Sequence, residues 1–322
     1  MLYSPSIMGG SPSTGGKYME PGQDIFYFSY GTNMNEADVR QWCRENNQPY
    51  PLGPVFARAY LPDSQIVFNL PSPVREGGSL NIRHRLGQAT PGVLYHMTPE
   101  GWKIMDRRVS SPRDYKHLDV VALTEDGREH SAVTYQVDTT LTEGGFVKPT
   151  AEYVGIVAEG LAAHGFTDRM LRPVSHGKEP PWHVDMLFVY GTLMEGEVRH
   201  HILEHWCDHR AGLRAQAAGL LYESGKGFPA MFPAEREGQE VRGELYPLVD
   251  LKKAFEMLDI VETVRRYGST GSLFRRAIVR VRAEDGNSYT AWAYLYDGTP
   301  GGMSPIPTGN WLDVPHERLP ED

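Results

Sequence analysis

The sequence is poor in cysteine, with Cys43 and Cys207 as the only two in 322 residues. Two cysteines cannot form the disulfide framework of a small secreted domain, and they lack the paired spacing of a zinc site. We interpret both as core residues rather than nucleophiles. A reducing, cytoplasmic compartment fits this composition best.

Long apolar runs and an excess of positive charge are absent as well. No stretch approaches the roughly 18 apolar residues that span a bilayer, and residues 1–16 lack the basic start and apolar segment of a secretion signal. The 32 Lys and Arg residues are outnumbered by 41 Asp and Glu, which gives a net charge of −9. Because a negative chain repels polyphosphate, we expect no nucleic-acid partner and no membrane association.

What is present fits a globular protein. Hydrophobic residues make up 40% of the chain and charged residues 23%, and a length of 322 residues favours two domains. Residues 1–23 are rich in Gly, Ser and Pro and carry few side chains that could fill a core. We therefore predict a disordered tail there.

A set of short segments occurs twice in the same order. In each half an aromatic-rich run ends in Tyr-Gly-Thr, and a glycine-led strand, a helical pattern with an aspartate and an alternating strand follow. The pairs are FYFSYGTNM (26–34) with LFVYGTLM (187–194), GVLY (92–95) with GELY (243–246), MD (105–106) with LD (258–259), and AVTY (132–135) with AWAY (291–294). One pair could arise by chance, but four in order indicate two copies of one α+β unit.

These copies predict the domain organisation. We place a first domain at 24–172, closed by an amphipathic helix within 148–166, and a second domain at 185–315. Residues 173–184 between them are dense in Pro, Gly and polar groups, which predicts an extended, semi-rigid linker.

Each Tyr-Gly-Thr segment places a glycine where a strand ends and a helix is expected to begin. Gly31 and Gly191 hold this position, at which the backbone turns sharply or approaches a ligand. Exposed backbone N–H groups at such a turn can bind an anion or stabilise an oxyanion. The alternative is that both glycines only serve a turn, while Tyr30 and Tyr190 pack in the core.

The ordered motifs resemble the gamma-glutamylcyclotransferase superfamily over nearly all of residues 24–300. The first half is similar to the cyclotransferases of glutathione metabolism, and the second half to the gamma-glutamylamine cyclotransferases. The motifs that carry the likeness are FYFSYGTNM, VFN (67–69), LNI (80–82) and KPTAEY in the first half, and LFVYGTLM, GFPAM (227–231), VRGELY and LDIVE in the second. The resemblance implies an α+β fold of two tandem, small mixed β-barrel domains with flanking helices, whose cavity holds a gamma-glutamyl group.

The acid-base residue of that family is the glutamate of an LDxxE motif, which runs from Leu258 to Glu262 here. The resemblance therefore implies that Glu262 is the catalytic residue of the second domain. In the first domain the equivalent run ends in valine, which cannot take a proton, so we predict a degenerate copy that could still bind a ligand or a partner. The residues of this degenerate site are Tyr30, Gly31, Thr32, Asn33 and Val109.

The chemistry explains why a glutamate is needed. The α-amine of a gamma-glutamyl amide can attack its own gamma-carbonyl, and a well-aligned intramolecular attack has an effective molarity on the order of 10⁵ M or more. The amine is an ammonium ion at neutral pH, so a carboxylate must accept a proton and later pass one to the leaving nitrogen. Burial would raise the pKa of Glu262 toward neutrality. No metal or organic cofactor is required.

The resemblance also implies that the second loop holds the glutamyl group. Backbone N–H groups after the glycine would bind its carboxylate or the oxyanion, the tyrosine before it would form a wall, and the Phe-Pro pair of GFPAM would shape the rim. At most one of Tyr294 and Tyr296 is expected to point into the barrel. The substrate-binding residues are then Tyr190, Gly191, Thr192, Leu193, Phe228, Pro229 and Tyr296.

Two charged patterns have simpler interpretations. His201, His205 and His209 recur at helical spacing after the second loop, but without a companion ligand we expect a surface and no metal site. Arginine pairs at 107–108 and 265–266 follow the matched aspartates. They could select an anionic substrate, although a solvated face is favoured.

Two other functions stay open. Both cavities could bind gamma-glutamyl or amino-acid-like ligands without turnover, as a sensor or carrier would, but the intact Glu262 argues against this. The same fold could also remove a gamma-glutamyl protecting group from a larger metabolite during biosynthesis. The sequence does not identify the amine that leaves.

Overall fold

The computed structural model describes residues 26–110, 113–142, 145–207, 211–265, 267–268 and 271–315, and the predicted tail at 1–23 lies outside them. Each half of the chain forms a closed five-stranded barrel. In both barrels the first strand runs parallel to the last, and every other neighbouring pair is antiparallel. The prediction of two tandem mixed barrels is therefore confirmed.

The first barrel is hydrogen-bonded in the order β1-β3-β2-β4-β5, and four helices flank it. Its strands are β1 (Phe26–Ser29), β2 (Val55–Ser72), β3 (Gly77–His96), β4 (Tyr115–Leu123) and β5 (Glu129–Val137). Its helices are α1 (Glu36–Glu45), α2 (Pro99–Arg108), α3 (Ala151–Ala163) and α4 (Leu171–Val174), with 3-10 turns at Thr32–Met34 and Thr139–Leu141.

The second barrel is hydrogen-bonded in the order β10-β6-β12-β11-β7, and a small sheet ordered β13-β8-β9 lies beside it. Its strands are β6 (Met186–Val189), β7 (Leu213–Ala218), β8 (Leu220–Glu223), β9 (Pro229–Phe232), β10 (Glu240–Pro247), β11 (Phe274–Ala283), β12 (Ser288–Tyr296) and β13 (Ser304–Pro305). Its helix is α5 (Leu251–Val261), with 3-10 turns at His200–Ile202 and Trp311–Asp313.

The strand glycines that the two halves share have the same physical role. A Cβ added at Gly92 would lie 2.4 Å from the carbonyl oxygen of Ser29, and one added at Gly243 would lie 2.1 Å from that of Val189. Only glycine lets the first strand of each barrel approach so closely. The matched motifs GVLY and GELY therefore occupy equivalent places.

The parallel pairs match in the same way. Phe26 is opposite Ala132 in the first barrel, and Met186 is opposite Ala291 in the second. AVTY and AWAY thus start at the same level of their barrels.

The helices α2 and α5 correspond as well. Thr98 caps the first by accepting from Gly101 N, and Asp250 caps the second by accepting from Lys253 N. Val109 and Glu262 hold their C-cap positions with nearly identical backbone angles, φ −91° and ψ 3° against φ −90° and ψ 3°. None of the helices in the described residues is long and apolar enough to cross a membrane.

The segment predicted as a linker lies against the first barrel. Gln88 donates to the carbonyl of Pro181 at 3.0 Å and accepts from His183 N at 2.9 Å. The Arg85 guanidinium lies 4.1 Å from the centre of the Trp182 ring. These contacts hold residues 181–183 against the first barrel. Val184, the last residue of the segment before the second barrel, is also buried, with 1% of its surface exposed.

The two barrels contact each other through the turn between β4 and β5. Gly127 N donates to the carbonyl of Ile278 at 3.1 Å, and Arg280 N donates to that of Glu125 at 2.7 Å. The turn of the first barrel therefore forms hydrogen bonds with β11. This strand begins beside the pocket of the second barrel.

Candidate active site

A pocket opens where the chain leaves β6 through Tyr-Gly-Thr-Leu. Its cavity volume is about 40 Å³, and about 400 Å³ of space is free of protein atoms when the open solvent at its mouth is included. The loop after β6, the β8–β9 hairpin, the start of β11 and the end of α5 form its walls. The lining residues are Phe188, Val189, Tyr190, Gly191, Thr192, Leu193, Arg199, Phe228, Pro229, Glu262, Phe274 and Tyr294.

Glu262 supplies the carboxylate of this pocket. Its position as C-cap of α5 directs it to the pocket wall, and the residue is 6% exposed. Burial raises the pKa of Glu262 from 4.5 to about 7, and the positive charge of Arg199 opposes part of this rise. A carboxyl group with such a pKa exists in both forms near neutral pH, as a group that must accept and return a proton should.

The loop after β6 offers backbone donors to the pocket. Its shape is fixed by hydrogen bonds from Met194 N to Gly191 O and from Arg199 N to Thr192 O, both 2.9 Å. In the described part of the chain, the N–H groups of Gly191, Thr192 and Leu193 have no protein acceptor. Three free donors at one turn can hold a carboxylate or an oxyanion.

Gly191 is required by the packing of the β8–β9 hairpin. A Cβ at this position would lie 2.5 Å from Cγ and 2.9 Å from Cδ of Pro229, a distance that real Cβ atoms do not reach. The hairpin thus lies directly on the loop, and Phe228 and Pro229, which were expected at the rim, line the pocket.

Arg199 is the cation of the pocket. Arg199 is half-buried, and its guanidinium forms no hydrogen bond or ion pair with the residues that the structure describes. Because the rest of the lining is mostly apolar, this guanidinium can recognise an anionic group of a ligand.

A chain of hydrogen bonds supports the pocket from behind. The Tyr190 hydroxyl donates to the carbonyl of Tyr294 at 2.5 Å, and the Tyr294 hydroxyl donates to Asp259 Oδ1 at 2.8 Å. Burial, and then the nearby Glu262, raise the pKa of Tyr190 far above its ordinary value. The tyrosine therefore stays protonated and serves as a wall.

One predicted substrate-binding residue lies outside the lining of this pocket. Tyr296 does not line the pocket; its ring packs against Phe232 and Phe274, at centroid distances of 5.7 and 5.6 Å. Tyr294 lines the pocket instead. Residues two apart on a strand point to the same face of a sheet. Tyr294 and Tyr296 therefore share a face of β12, and only Tyr294 lies far enough back along the strand to reach the pocket.

The first barrel repeats the supporting hydrogen bonds without the glutamate. Tyr30 donates to the carbonyl of Tyr135 at 2.7 Å, and Tyr135 donates to Asp106 Oδ1 at 2.7 Å. At the position of Glu262 stands Val109, which is half-buried and packs on the core. The scaffold of the site is thus present twice, and the carboxylate at the helix end once.

The loop of the first barrel is tied to its surroundings. Asn33 donates to the Tyr27 hydroxyl at 2.8 Å and accepts from Arg108 Nε at 2.9 Å. Arg108 also pairs with Asp38, and its side chain is only 3% exposed. The expectation of a solvated face is wrong for Arg108, because this ion pair and the Asn33 contact compensate the buried guanidinium. Of the second arginine pair, residue 266 lies outside the described residues.

Gly31 and Thr32 also lie in this loop, as predicted. A Cβ added at Gly31 would meet nothing closer than Leu80 Cδ1 at 3.7 Å, an ordinary contact. The Thr32–Met34 segment forms a 3-10 turn that leads into α1. The two loops therefore share a sequence motif but differ in what covers them.

The histidine pattern does not form a helix face. The chain after the second loop forms turns and the 3-10 segment His200–Ile202, and His209 lies outside the described residues. The described residues contain no group of three or more His, Cys, Asp or Glu side chains that could hold a metal ion. Both cysteines are buried, and neither forms a disulfide in the described residues.

The sequence does not predict the role of Arg199 or the contact between Tyr294 and Asp259. Asp259 is a landmark of the repeat, and its recurrence as Asp106 is a signal of a shared structural role. Nothing in the sequence indicated Arg199, because irregular turns rather than a helix return it to the pocket.

A closed mixed barrel, whose pocket is lined by a buried carboxyl group and by free backbone donors, defines a protein of the α+β class. A family model described as gamma-glutamyl cyclotransferase, AIG2-like, matches residues 27–154 and again residues 187–313. The chain therefore belongs to this family, and it carries the family's domain twice.

Individual relatives share this description. A gamma-L-glutamyl-butirosin B gamma-glutamyl cyclotransferase from Niallia circulans is 33% identical over 111 residues, which are 34% of this chain and 66% of that protein. A Vibrio cholerae serotype O1 protein, provisionally named a gamma-glutamylcyclotransferase, is 33% identical over 39% of this chain and 94% of its own length.

Solved structures were matched as well. A gamma-glutamyl cyclotransferase aligns with 49% of this chain and 90% of its own, at 21% identity and a TM-score of 0.40. YkqA from Bacillus subtilis aligns with 85% of this chain and 84% of its own, at 16% identity and a TM-score of 0.34.

Proposed function

We propose that the second domain is a gamma-glutamyl cyclotransferase that converts a gamma-glutamyl amide into 5-oxoproline and a free amine. The observation that carries this proposal is the position of Glu262, buried at the end of α5 with a pKa of about 7 and lining the pocket. A solvent-facing glutamate could not have this property, because water would stabilise its charged form.

The reaction needs no group besides the substrate and this carboxylate. Glu262 accepts a proton from the substrate's α-ammonium group, and the freed amine attacks the gamma-carbonyl carbon. The new C–N bond closes the lactam. As the amide bond breaks, Glu262 returns its proton to the leaving nitrogen, and the second amine proton follows to give an ammonium product. Atoms and charge balance without water.

The remaining pocket groups bind and orient the substrate in this proposal. The free N–H groups of Gly191, Thr192 and Leu193 donate to the carbonyl oxygen as it becomes an oxyanion. Arg199 pairs with the α-carboxylate of the glutamyl group. Apolar walls from Phe188 and Phe274 exclude water and strengthen both interactions.

The experiment is an assay for 5-oxoproline with gamma-glutamyl-alanine, glutathione and gamma-glutamyl-lysine. We expect the wild type to turn over at least one of them and Glu262→Gln to lose 100-fold or more in kcat, the usual contribution of a positioned acid-base group. Glu256→Gln is the matched control, because it removes the same charge from the exposed face of the same helix. If Glu262→Gln retained full turnover, the mechanism would be wrong.

Substrate size is the second arm of this assay. The Niallia circulans relative is named for gamma-L-glutamyl-butirosin B, and the pocket is open at its mouth, so a large leaving amine can remain outside it. We therefore include gamma-L-glutamyl-butirosin B among the substrates. Binding of all these compounds by calorimetry without 5-oxoproline release would favour a sensor or carrier instead.

A further inference from the structure

The long strands β2 and β3 of the first barrel are interrupted at the same level, next to the second barrel. Asp63 has a positive φ of 50° beside a register shift between Pro62 and Ser64, and Gly87 on β3 has a φ of 84°. Gly87 N donates to Asp63 Oδ1 at 2.8 Å. A positive φ is uncommon for residues other than glycine, and aspartate is one of the few that adopt it, here with its side chain held by the Gly87 N–H group.

Gly87 contacts the helix that carries Glu262. A Cβ at this position would lie 3.1 Å from Leu251 Cβ and 3.2 Å from Phe255 Cδ2, both on the buried face of α5. The backbone of the first barrel therefore rests directly on the first turns of the second barrel's helix.

Asp63 reaches further, to a buried arginine of the second barrel. Arg276 Nη1 donates to Asp63 Oδ1 at 2.9 Å and Nη2 donates to Oδ2 at 2.6 Å, a two-pronged ion pair. The arginine side chain is 4% exposed and lies over the rings of Phe255 and Trp292. Such a pair is held in one geometry, because both charges are removed from water.

The same arginine touches the support of the pocket. Arg276 Nε forms an ion pair, without hydrogen-bond geometry, at 3.1 Å from Asp259 Oδ1, the oxygen that accepts from the Tyr294 hydroxyl. Asp259 precedes Glu262 by three residues on α5, and Tyr294 lines the pocket. An unbroken series of contacts thus runs from Asp63 in the first domain to the pocket in the second.

In the first barrel, the position equivalent to Arg276 holds a different residue. Val120 opposite Ala132 corresponds to Val279 opposite Ala291, so His117 holds the position of Arg276. His117 Nε2 lies 2.7 Å from Asp106 Oδ1, and its side chain is 40% exposed. The copy without the glutamate thus has a solvent-accessible partner for its aspartate, and the copy with the glutamate has a buried one.

We propose that Asp63 is a positioning residue for the reaction, and that the first domain acts as a clamp on the catalytic helix of the second. This inference rests on the proposed function of Glu262. Asp63 holds Arg276, Arg276 fixes Asp259, and α5 then presents Glu262 at a constant distance from the substrate. The degenerate domain thereby contributes to catalysis without touching the substrate.

Asp63→Asn tests the clamp in the full-length protein, because it keeps the shape of the side chain and removes the charge. We expect kcat to fall by about 10-fold or more, the usual effect of losing an outer partner of a catalytic group, while KM changes less than about threefold. Glu125→Gln is the matched control. Glu125 also lies in the first domain, accepts from Thr290 of the second at 2.8 Å and lies outside the pocket.

A double-variant cycle separates positioning from general loss of stability. Tyr294→Phe breaks the bond to Asp259, so Asp63→Asn should cost little further in its presence if both act through Asp259. The clamp would be overturned if the loss of kcat in the double variant equalled the product of the two single losses. Equal losses of kcat in Asp63→Asn and Glu125→Gln would overturn it as well. If Asp63→Asn does not fold, Arg276→Lys replaces it, since lysine keeps the charge but not the two-pronged contact.

The outcomes for the two proposals differ. A wild type that is active, with Glu262→Gln inactive and Asp63→Asn fully active, overturns the clamp and leaves the cyclotransferase proposal intact. A wild type inactive on every gamma-glutamyl amide overturns both.

Discussion

Glu262 differs from an ordinary surface glutamate in its environment alone. Its side chain lines the same pocket as Tyr190, Phe228 and Phe274, and burial makes its charged form costly. The same burial that makes the residue a useful base at neutral pH must reduce the stability of the folded protein. Activity and stability can therefore be tested through one side chain.

The pH dependence of catalysis follows from the pKa of about 7. A protonated Glu262 cannot accept the amine proton, so kcat/KM should fall about tenfold per pH unit below pH 7. Arg199 lowers this pKa, so Arg199→Leu should shift the acid limb to higher pH. Rate profiles from pH 5 to pH 9 measure both, and a limb near the ordinary glutamate pKa of 4.5 would contradict the buried assignment.

The free energy of unfolding should decrease as pH rises, in the range where catalytic activity increases. The pKa of Glu262 is raised in the folded state, so the folded protein holds a proton that the unfolded chain has lost between pH 4.5 and about 7. Stability therefore decreases as pH rises through this window. Glu262→Gln removes the cost, and its free energy of unfolding should exceed that of the wild type by up to about 3 kcal/mol at pH 8. Urea unfolding at pH 8 and pH 4 measures this, and the difference should vanish at pH 4.

At the scale of elements, the loops after β1 and β6 show how one motif gives two environments. Both contain Tyr-Gly-Thr and both continue a barrel strand. The second is covered by Pro229 of the β8–β9 hairpin, and the first loop has Leu80 of β3 near its glycine. In the first half the outer parts of β2 and β3, from Ser64 to His84, form the hairpin beside the loop, and in the second half the separate strands β8 and β9 form it. The two hairpins therefore approach their glycines differently, at 3.7 Å in the first half and 2.5 Å in the second.

This difference predicts unequal effects of one substitution. Gly191→Ala should reduce kcat/KM by roughly 10-fold to 100-fold, because a Cβ 2.5 Å from Pro229 must displace the hairpin or the loop. Gly31→Ala is the matched control and should leave turnover near that of the wild type, since its Cβ would meet only Leu80 at 3.7 Å. Equal losses in both variants would show that the glycine serves the turn alone.

The helices show how far elements could be predicted. The α2 and α5 patterns were visible because capping residues and apolar spacing mark them locally. The helix expected after the second loop is absent; the chain there forms turns and a 3-10 segment instead. Local propensity was insufficient there, because the backbone bonds of the loop, such as Arg199 N to Thr192 O, require a different path.

At the scale of the whole molecule, the two barrels have divided their roles. The first keeps the barrel and the hydrogen bonds from Tyr30 through Tyr135 to Asp106, but it has Val109 at the helix end. Its turn 124–128 and the Asp63 side chain contact β11 of the second barrel. Under the clamp proposal, these contacts are the reason that a domain without the glutamate remains useful to the protein.

The sequence by itself determined the repeat, the two-barrel class, the family resemblance and Glu262 as the candidate base. The repeat follows from short motifs that occur twice in the same order, and the two-barrel class and the role of Glu262 follow from the family resemblance that these motifs carry. The tertiary structure decided what depends on distant segments meeting: the pocket place of Arg199, the choice of Tyr294 over Tyr296, and the reach of Asp63 to Arg276. Burial and charge pairing arise only when the chain folds, so no local pattern could have shown them.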